Sequence, residues 1–110
     1  MGLDVLPVRD LCTDPLTVED FESATNFIAA HLPQTPQLSW PLLSDRLGCD
    51  VFAKHENYLP TGSFKVRGGV WLIGQLFEEL KVAGVIAASR GNHGQSISFA
   101  AGKFGIPTPF

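Results

Sequence analysis

Apolar side chains return every three or four residues in two long stretches of the chain, and this spacing predicts amphipathic helices. The first helix should run from Thr17 to about Leu32, because acidic residues follow Thr17 and prolines follow Leu32. The second should begin with Ser63 as its N-cap and end near Leu80. The apolar positions are Phe21, Ala24, Phe27, Ile28 and Leu32 in the first helix, and Val66, Val70, Trp71, Ile73, Leu76, Phe77 and Leu80 in the second.

Shorter elements lie between and after these helices. Residues 37–41 are predicted to be extended, a short helix or turn should end at Gly48, and a strand should follow through residues 51–53. After the second long helix, Val82 and residues 85–88 form an apolar run, which is typical of a buried strand in a parallel sheet.

A further helix, rich in small residues, is expected from about His93 to Phe104, with Gly105 as its left-handed cap. Ile106 should open another strand. This alternation of helix and strand predicts an α/β fold. Two strands with their helices would leave a bare sheet edge and too small a core, so we expect the chain to be the N-terminal part of a longer polypeptide.

The composition is that of a globular protein, with 45% hydrophobic and 17% charged residues among 110. A net charge of −3 gives no reason to expect nucleic acid or an anionic membrane surface as a partner. Apolar runs stay well short of the ~20 residues of a membrane span, which favours a cytoplasmic protein. Cys12 and Cys49 are interpreted as reduced bystanders, and His31 and His55 lack metal-ligand spacing.

Two glycine-punctuated loops, PTGSFK at residues 60–65 and SRGNHG at residues 89–94, each lead into a predicted helix. Unpaired backbone N–H groups and the helix dipole make such positions suited to a carboxylate or a phosphate. Lys65 is out of place there, because a helix N-terminus favours anions. Two interpretations follow: a solvated surface lysine, or an amine kept partly neutral so that it can act as a nucleophile.

Together, PTGSFKVRGG and SRGNHGQS resemble the lysine motif and the asparagine loop of pyridoxal-phosphate enzymes of the tryptophan-synthase-β-like fold. Val-Arg-Gly after Lys65, and the sequence GNHGQ, are most similar to the threonine and serine dehydratases of that group. The resemblance implies pyridoxal 5'-phosphate as cofactor and a small amino acid as substrate. It also implies part of a large cofactor domain at 17–80 and the start of a smaller α/β domain at 81–110. Residues 1–16, which Pro7 and Pro15 interrupt, are expected to be an arm ahead of them.

The same resemblance assigns roles to individual residues. Lys65 would carry the cofactor as a Schiff base, Phe64 would pack against the pyridine ring, and Asn92 would hydrogen-bond the phenolic oxygen. Burial and the helix N-terminus would both favour the neutral form of the Lys65 amine. The backbone amides expected to hold the substrate carboxylate belong to Ser89, Arg90, Gly91, Asn92 and His93. Arg67 is expected to make a structural ion pair, whereas Glu56 receives no role.

The implied reaction converts L-threonine or L-serine to a 2-keto acid and ammonia: the β-hydroxyl is lost as water, and the resulting enamine is then hydrolysed. In serine racemases a serine stands at the position of Arg90 and acts as a second acid/base, a role that arginine cannot take, so we expect elimination without racemisation. Two alternatives stay open: a related lyase acting on another β-substituted amino acid, and a truncated, non-catalytic remnant.

Other parts of such an enzyme are expected outside this sequence. The phosphate-binding loop and the group facing the pyridine nitrogen should lie beyond Phe110, so the 110-residue chain alone should bind the cofactor weakly and catalyse little. At full length the enzyme would be a homo-oligomer, as its relatives commonly are.

Overall fold

The computed structural model describes residues 15–108, so most of the arm predicted at residues 1–16, including Cys12, lies outside the described residues. Within that range the elements are α1 (Val18–His31), β1 (Gln37–Ser39), α2 (Pro41–Leu47), β2 (Phe52–Lys54), a 3-10 turn (Glu56–Tyr58), α3 (Lys65–Leu80) and α4 (Asn92–Phe104). The three long helices predicted from periodicity and end signals are therefore confirmed, with ends within about two residues of those expected.

α1 begins with a capping box, in which two residues satisfy each other's backbone N–H groups. The Thr17 hydroxyl accepts a hydrogen bond from the Asp20 N–H at 3.2 Å, and the Asp20 carboxylate accepts one from the Thr17 N–H at 2.7 Å. The helix ends where Leu32 adopts extended backbone and becomes buried. This local chemistry fixes the helix start that the sequence predicts.

β1 and β2 pair antiparallel, with Leu38 opposite Ala53. The His55 N–H donates to the Pro36 carbonyl at 2.8 Å and continues the pairing beyond the strands. Between the strands, α2 ends at Gly48, whose φ of 68° is the left-handed conformation that glycine adopts without strain. The predicted extended stretch, short helix and strand are confirmed.

The core lies between α3 and α4, which pack against each other along their length. The closest approach is at Gly69, where an added Cβ would lie 2.9 Å from the Ser96 carbonyl oxygen and closer still to the Ser96 hydroxyl. α1 lies against α3, and Phe27 fills the space beside Gly74. The buried apolar residues are Leu32, Leu59, Val66, Val70, Ile73, Ile97, Ala100, Ala101 and Ile106.

The strand predicted in the apolar run Val82–Ala88 is wrong for this structure, as is the strand expected from Ile106. The two segments do meet, since the Val85 N–H donates to the Pro107 carbonyl at 3.0 Å. The sheet formed within residues 15–108 is the antiparallel β1–β2 pair, and Ile86 is 85% exposed. A buried parallel strand needs bonded neighbours on both sides, and the described residues provide a single bond on one side.

Within residues 15–108, no helix is both long and apolar enough to cross a membrane. The same part of the chain contains no cluster of three side chains able to ligate a metal ion. Cys49 is free and exposed.

Candidate active site

Lys65 is the first residue of α3 and lines an open cleft of about 370 Å³. The cleft is lined mainly by apolar groups, among them Phe64, Leu72 and Ile97, and by His93 from α4. Lys65 is itself exposed, so the burial expected for it is wrong. Its place at the N-terminus of α3 is as predicted.

The loop ahead of Lys65 is shaped by a tight turn. The Gly62 N–H donates to the Leu59 carbonyl at 2.8 Å, and Gly62 has a left-handed φ of 69°. Leu59 is buried and anchors the loop to the core. α3 then begins with Phe64 at the N-cap position and without a side-chain capping bond, so Ser63 is wrong as the predicted N-cap.

Two hydroxyls of this loop are buried, and neither has a hydrogen-bond partner among the described residues: Thr61 Oγ1 and Ser63 Oγ. A buried hydroxyl left unpaired costs about 1–3 kcal/mol, and most such groups in folded proteins are paired. The loop therefore has hydrogen-bonding capacity left for a ligand or for further protein.

The second loop leads into α4, which begins at Asn92 with Gly91 at its N-cap. The Ser89 hydroxyl accepts from the Gly91 N–H at 3.1 Å. One amide predicted to hold the substrate carboxylate is thus already engaged. The Gln95 N–H donates to the Gly91 carbonyl at 3.1 Å. The N–H groups that precede it in the first turn, beginning with that of Asn92, have no acceptor within the helix.

A second cleft, of about 430 Å³, lies beside this loop, and Ile97 lines both clefts. The predicted site residues divide between the clefts: Phe64, Lys65 and His93 line the first, Ser89 and Gly91 line the second, and Arg90 and Asn92 line neither. The structure thus places the amine and part of the asparagine loop in neighbouring clefts that share one wall.

One buried side chain joins the start of α3 to α4. The Ser96 hydroxyl, 0% exposed, donates to the Lys65 carbonyl at 2.7 Å. Because Gly69 meets Ser96 while Phe77 meets Phe104, α3 and α4 run in the same direction and begin at the same end of the molecule. Sequence reasoning did not identify Ser96; the signal was the run of small residues in the predicted last helix.

Arg67 makes the predicted ion pair, and its partner is Glu56, to which the sequence assigned no role. The Glu56 carboxylate accepts from Arg67 Nε at 2.6 Å and Nη2 at 3.1 Å, and from the Thr35 hydroxyl at 2.6 Å. The hydrogen bond from Arg67 is the main cause that lowers the pKa of Glu56 to about 2, against the opposing effect of burial. In turn, that bond raises the pKa of Arg67.

The chain matches the family described as pyridoxal-phosphate dependent enzymes over residues 28–108, and it belongs to that family. The cofactor predicted from the two motifs is thereby confirmed as the cofactor of its family.

Individual relatives are ammonia-lyases and racemases. The chain is 38% identical to an L-threo-3-hydroxyaspartate ammonia-lyase of Saccharomyces cerevisiae over 83% of its own length and 28% of the relative's. It is 40% identical to an L-threonine ammonia-lyase of Thermotoga maritima over 84% and 23%, respectively. It is similar in structure to a serine racemase from Dictyostelium discoideum, with a TM-score of 0.78, 34% identity, and coverage of 84% of this chain and 31% of that one.

These likenesses confirm the predicted fold class and fix the extent of the match. The chain spans between about a quarter and a third of the length of these relatives.

The residues at the first cleft fit the cofactor. An exposed primary amine can condense with an aldehyde, and the mainly apolar lining of the cleft suits a flat aromatic ring. Lys65 brings a cationic side chain to the cleft, whereas the guanidinium of Arg67, which also lines it, is already paired with Glu56. The unpaired hydroxyls of Thr61 and Ser63 add polar capacity in the same loop.

Proposed function

We propose that this chain is the lysine-bearing part of a pyridoxal-phosphate dependent ammonia-lyase that acts on L-threonine, L-serine or a close β-hydroxy analogue. The observation that supports the proposal most is the bond from Ser96 to the Lys65 carbonyl, which joins the start of α3 to α4. It keeps an amine and a carboxylate-binding helix end at the same end of one helix pair. An enzyme acting on an α-amino acid needs both groups close together.

In this proposal Lys65 provides the amine that condenses with the cofactor aldehyde, and Phe64 offers a flat apolar surface to the pyridine ring. Asn92 is assigned the phenolic oxygen, because its side-chain amide can donate to an oxyanion. When bound, the cofactor supplies an electron sink for the negative charge that develops at the substrate Cα.

The substrate carboxylate is assigned to the first turn of α4. The backbone N–H groups of Asn92 and His93 are the strongest candidates, because the Gly91 N–H is engaged by Ser89. When it does not hold the cofactor, the Lys65 Nζ would be the base that takes the proton from Cα. The protonated Nζ would give that proton to the departing β-hydroxyl, which would leave as water, and hydrolysis of the released enamine would give a 2-keto acid and ammonia.

Arg90 is the observation that favours a lyase over a racemase, although both occur among the relatives. Racemisation needs a second proton donor and acceptor on the opposite face of Cα, and a guanidinium stays protonated. Arg90 is exposed. The resemblance implies that it stands where serine racemases have a serine. We therefore expect Lys65 to remove the proton from one face of Cα, with no second acid or base acting on the opposite face.

The test uses the longest polypeptide that carries this sequence, loaded with pyridoxal phosphate and given L-threonine, L-serine and L-threo-3-hydroxyaspartate separately. A 2-keto acid and ammonia should form in equal amounts from at least one substrate, with no D-serine from L-serine. Lys65→Ala should abolish this activity, whereas the matched Lys103→Ala should retain it. D-Serine formed as fast as the 2-keto acid would refute the lyase assignment.

Further features are proposed on the sequence and its resemblance. These are the division into domains at residues 1–16, 17–80 and 81–110, assembly of the whole enzyme as a homo-oligomer, and a cytoplasmic location. A non-catalytic remnant would show borohydride-trapped cofactor at Lys65 without turnover of any of the three substrates.

A further inference from the structure

The Glu56 carboxylate ties together two segments that are separate in sequence. One oxygen accepts from Arg67 Nε, and the other accepts from Arg67 Nη2 and from the Thr35 hydroxyl in the linker after α1. Lys54 Nζ lies 3.8 Å from the second oxygen and adds a weaker attraction. With 23% of its side-chain surface exposed, Glu56 holds this geometry with limited competition from water.

Arg67 is the third residue of α3, so this bidentate pair holds the first turn of that helix. The first turn needs support, because Phe64 gives it no side-chain cap and Lys65 puts a cation at the positive end of the dipole. The bond from Ser96 to the Lys65 carbonyl holds the same turn from α4. Glu56 holds it from the segment that precedes the lysine loop.

We infer that Glu56 is a positioning residue for Lys65: through Arg67 it fixes the first turn of α3 and hence the direction from which the amine enters the cleft. The inference rests on the proposed function, since it concerns how the amine meets an aldehyde. Arg67 lines the lysine cleft, and Glu56 acts through it. A bidentate charge-assisted pair fixes the orientation of the two side chains in addition to stabilising them. Glu56 needs this property if it is to hold Arg67, and with it the first turn of α3, in one orientation.

The test uses the four lysines of the chain as competitors for one aldehyde. They are Lys54, Lys65, Lys81 and Lys103. The longest polypeptide that carries this sequence is incubated with pyridoxal phosphate, samples are reduced with borohydride at intervals, and the label at each of these four lysines is measured from peptide masses. Amide hydrogen exchange of residues 66–69 is followed in the same proteins without the cofactor.

Three variants separate positioning from general stability. Glu56→Gln keeps the shape of the side chain but removes its charge, and Glu56→Asp keeps the charge on a shorter side chain. Ile73→Val is the matched control, because Ile73 is a buried residue of α3 that takes no part in the Glu56 network. All proteins are compared at a temperature at which each is folded.

In Glu56→Gln, the ratio of label at Lys65 to label at Lys103 should fall about tenfold, and exchange of residues 66–69 should accelerate by about the same factor. Glu56→Asp should recover part of the label ratio and part of the slow exchange. Ile73→Val should leave the label ratio and the exchange rates near the wild-type values. Wild-type labelling and exchange in Glu56→Gln would overturn the inference. Failure of the wild-type polypeptide to favour Lys65 would instead count against the proposed function, and the exchange rates would still decide whether Glu56 holds the turn.

Discussion

Lys65 combines an exposed side chain with a fixed backbone. The residue lines an open cleft, whereas its carbonyl is bonded to a buried hydroxyl and its helix turn is held by the Arg67–Glu56 pair. The residues that hold the Lys65 backbone in place are therefore different from those that would surround its amine during the reaction. Of the positioning residues, Glu56 offers the clearest measurable property, because its ionisation is strongly shifted.

The pKa of Glu56, lowered from 4.5 to about 2 chiefly by the hydrogen bond from Arg67, predicts a dependence of stability on pH. A carboxyl group with a lowered pKa in the folded state stabilises the fold above its unfolded pKa, and this contribution is lost as pH falls through the folded pKa. The free energy of unfolding should therefore drop by on the order of 2 kcal/mol on acidification from about pH 5 to pH 2.

Urea unfolding at several pH values measures this drop. Glu56→Gln removes the titrating group, so the variant should be less stable at neutral pH and should lose less stability over the same acid range. Parallel curves for the two proteins would show that Glu56 is not the source of the dependence.

The pairing of α3 with α4 depends on small residues at the contact. Gly69 and Gly68 are neighbours on α3, but an added Cβ at Gly69 would collide with Ser96, whereas at Gly68 it would meet no atom within 4 Å. Since both glycines have ordinary helical backbone, the two sites differ in the space around them and not in backbone conformation.

Substitution by alanine should therefore have opposite effects on stability at the two glycines. Gly69→Ala should destabilise the chain by about 1–3 kcal/mol, because the backbones of α3 and α4 must separate. Gly68→Ala should stabilise it by about 0.5–1 kcal/mol through helix propensity. Thermal unfolding of both variants measures the difference, and a Gly69→Ala protein as stable as Gly68→Ala would mean that the helices are not in close contact there.

The molecule as a whole has a well-packed helix pair and an apolar segment, Val82–Ala88, that lacks strand partners among residues 15–108. Amide protection should follow this division, because exchange reports local hydrogen bonding and packing. Amides in the middle of α3 and α4 should be the most protected, whereas residues 86–88 should exchange nearly as fast as an unfolded chain. Equal protection of these residues and α3 would show that the segment forms a strand.

Features specified by neighbouring residues were predictable from the sequence. The capping box at Thr17 and the left-handed cap at Gly105 set helix ends through bonds within a few residues, and both lie where predicted. Features that depend on distant segments were not predictable. The apolar run at residues 82–88 needs partner strands, and the exposure of Lys65 depends on which walls surround its cleft. The role of Glu56 was not predicted, because the fold of the loop between residues 56 and 67 brings Arg67 to it.

The hydrogen bond between Ser96 and the Lys65 carbonyl limits how the amine can travel. With its main chain tethered to a neighbouring helix, the amine can change place only by rotation about the bonds of its own flexible stem. The backbone of Lys65 then stays in place, and the length of the side chain sets how far from it the amine can reach. An amine on a shorter stem could not be brought back into range by shifting the helix, because α4 would have to shift with it.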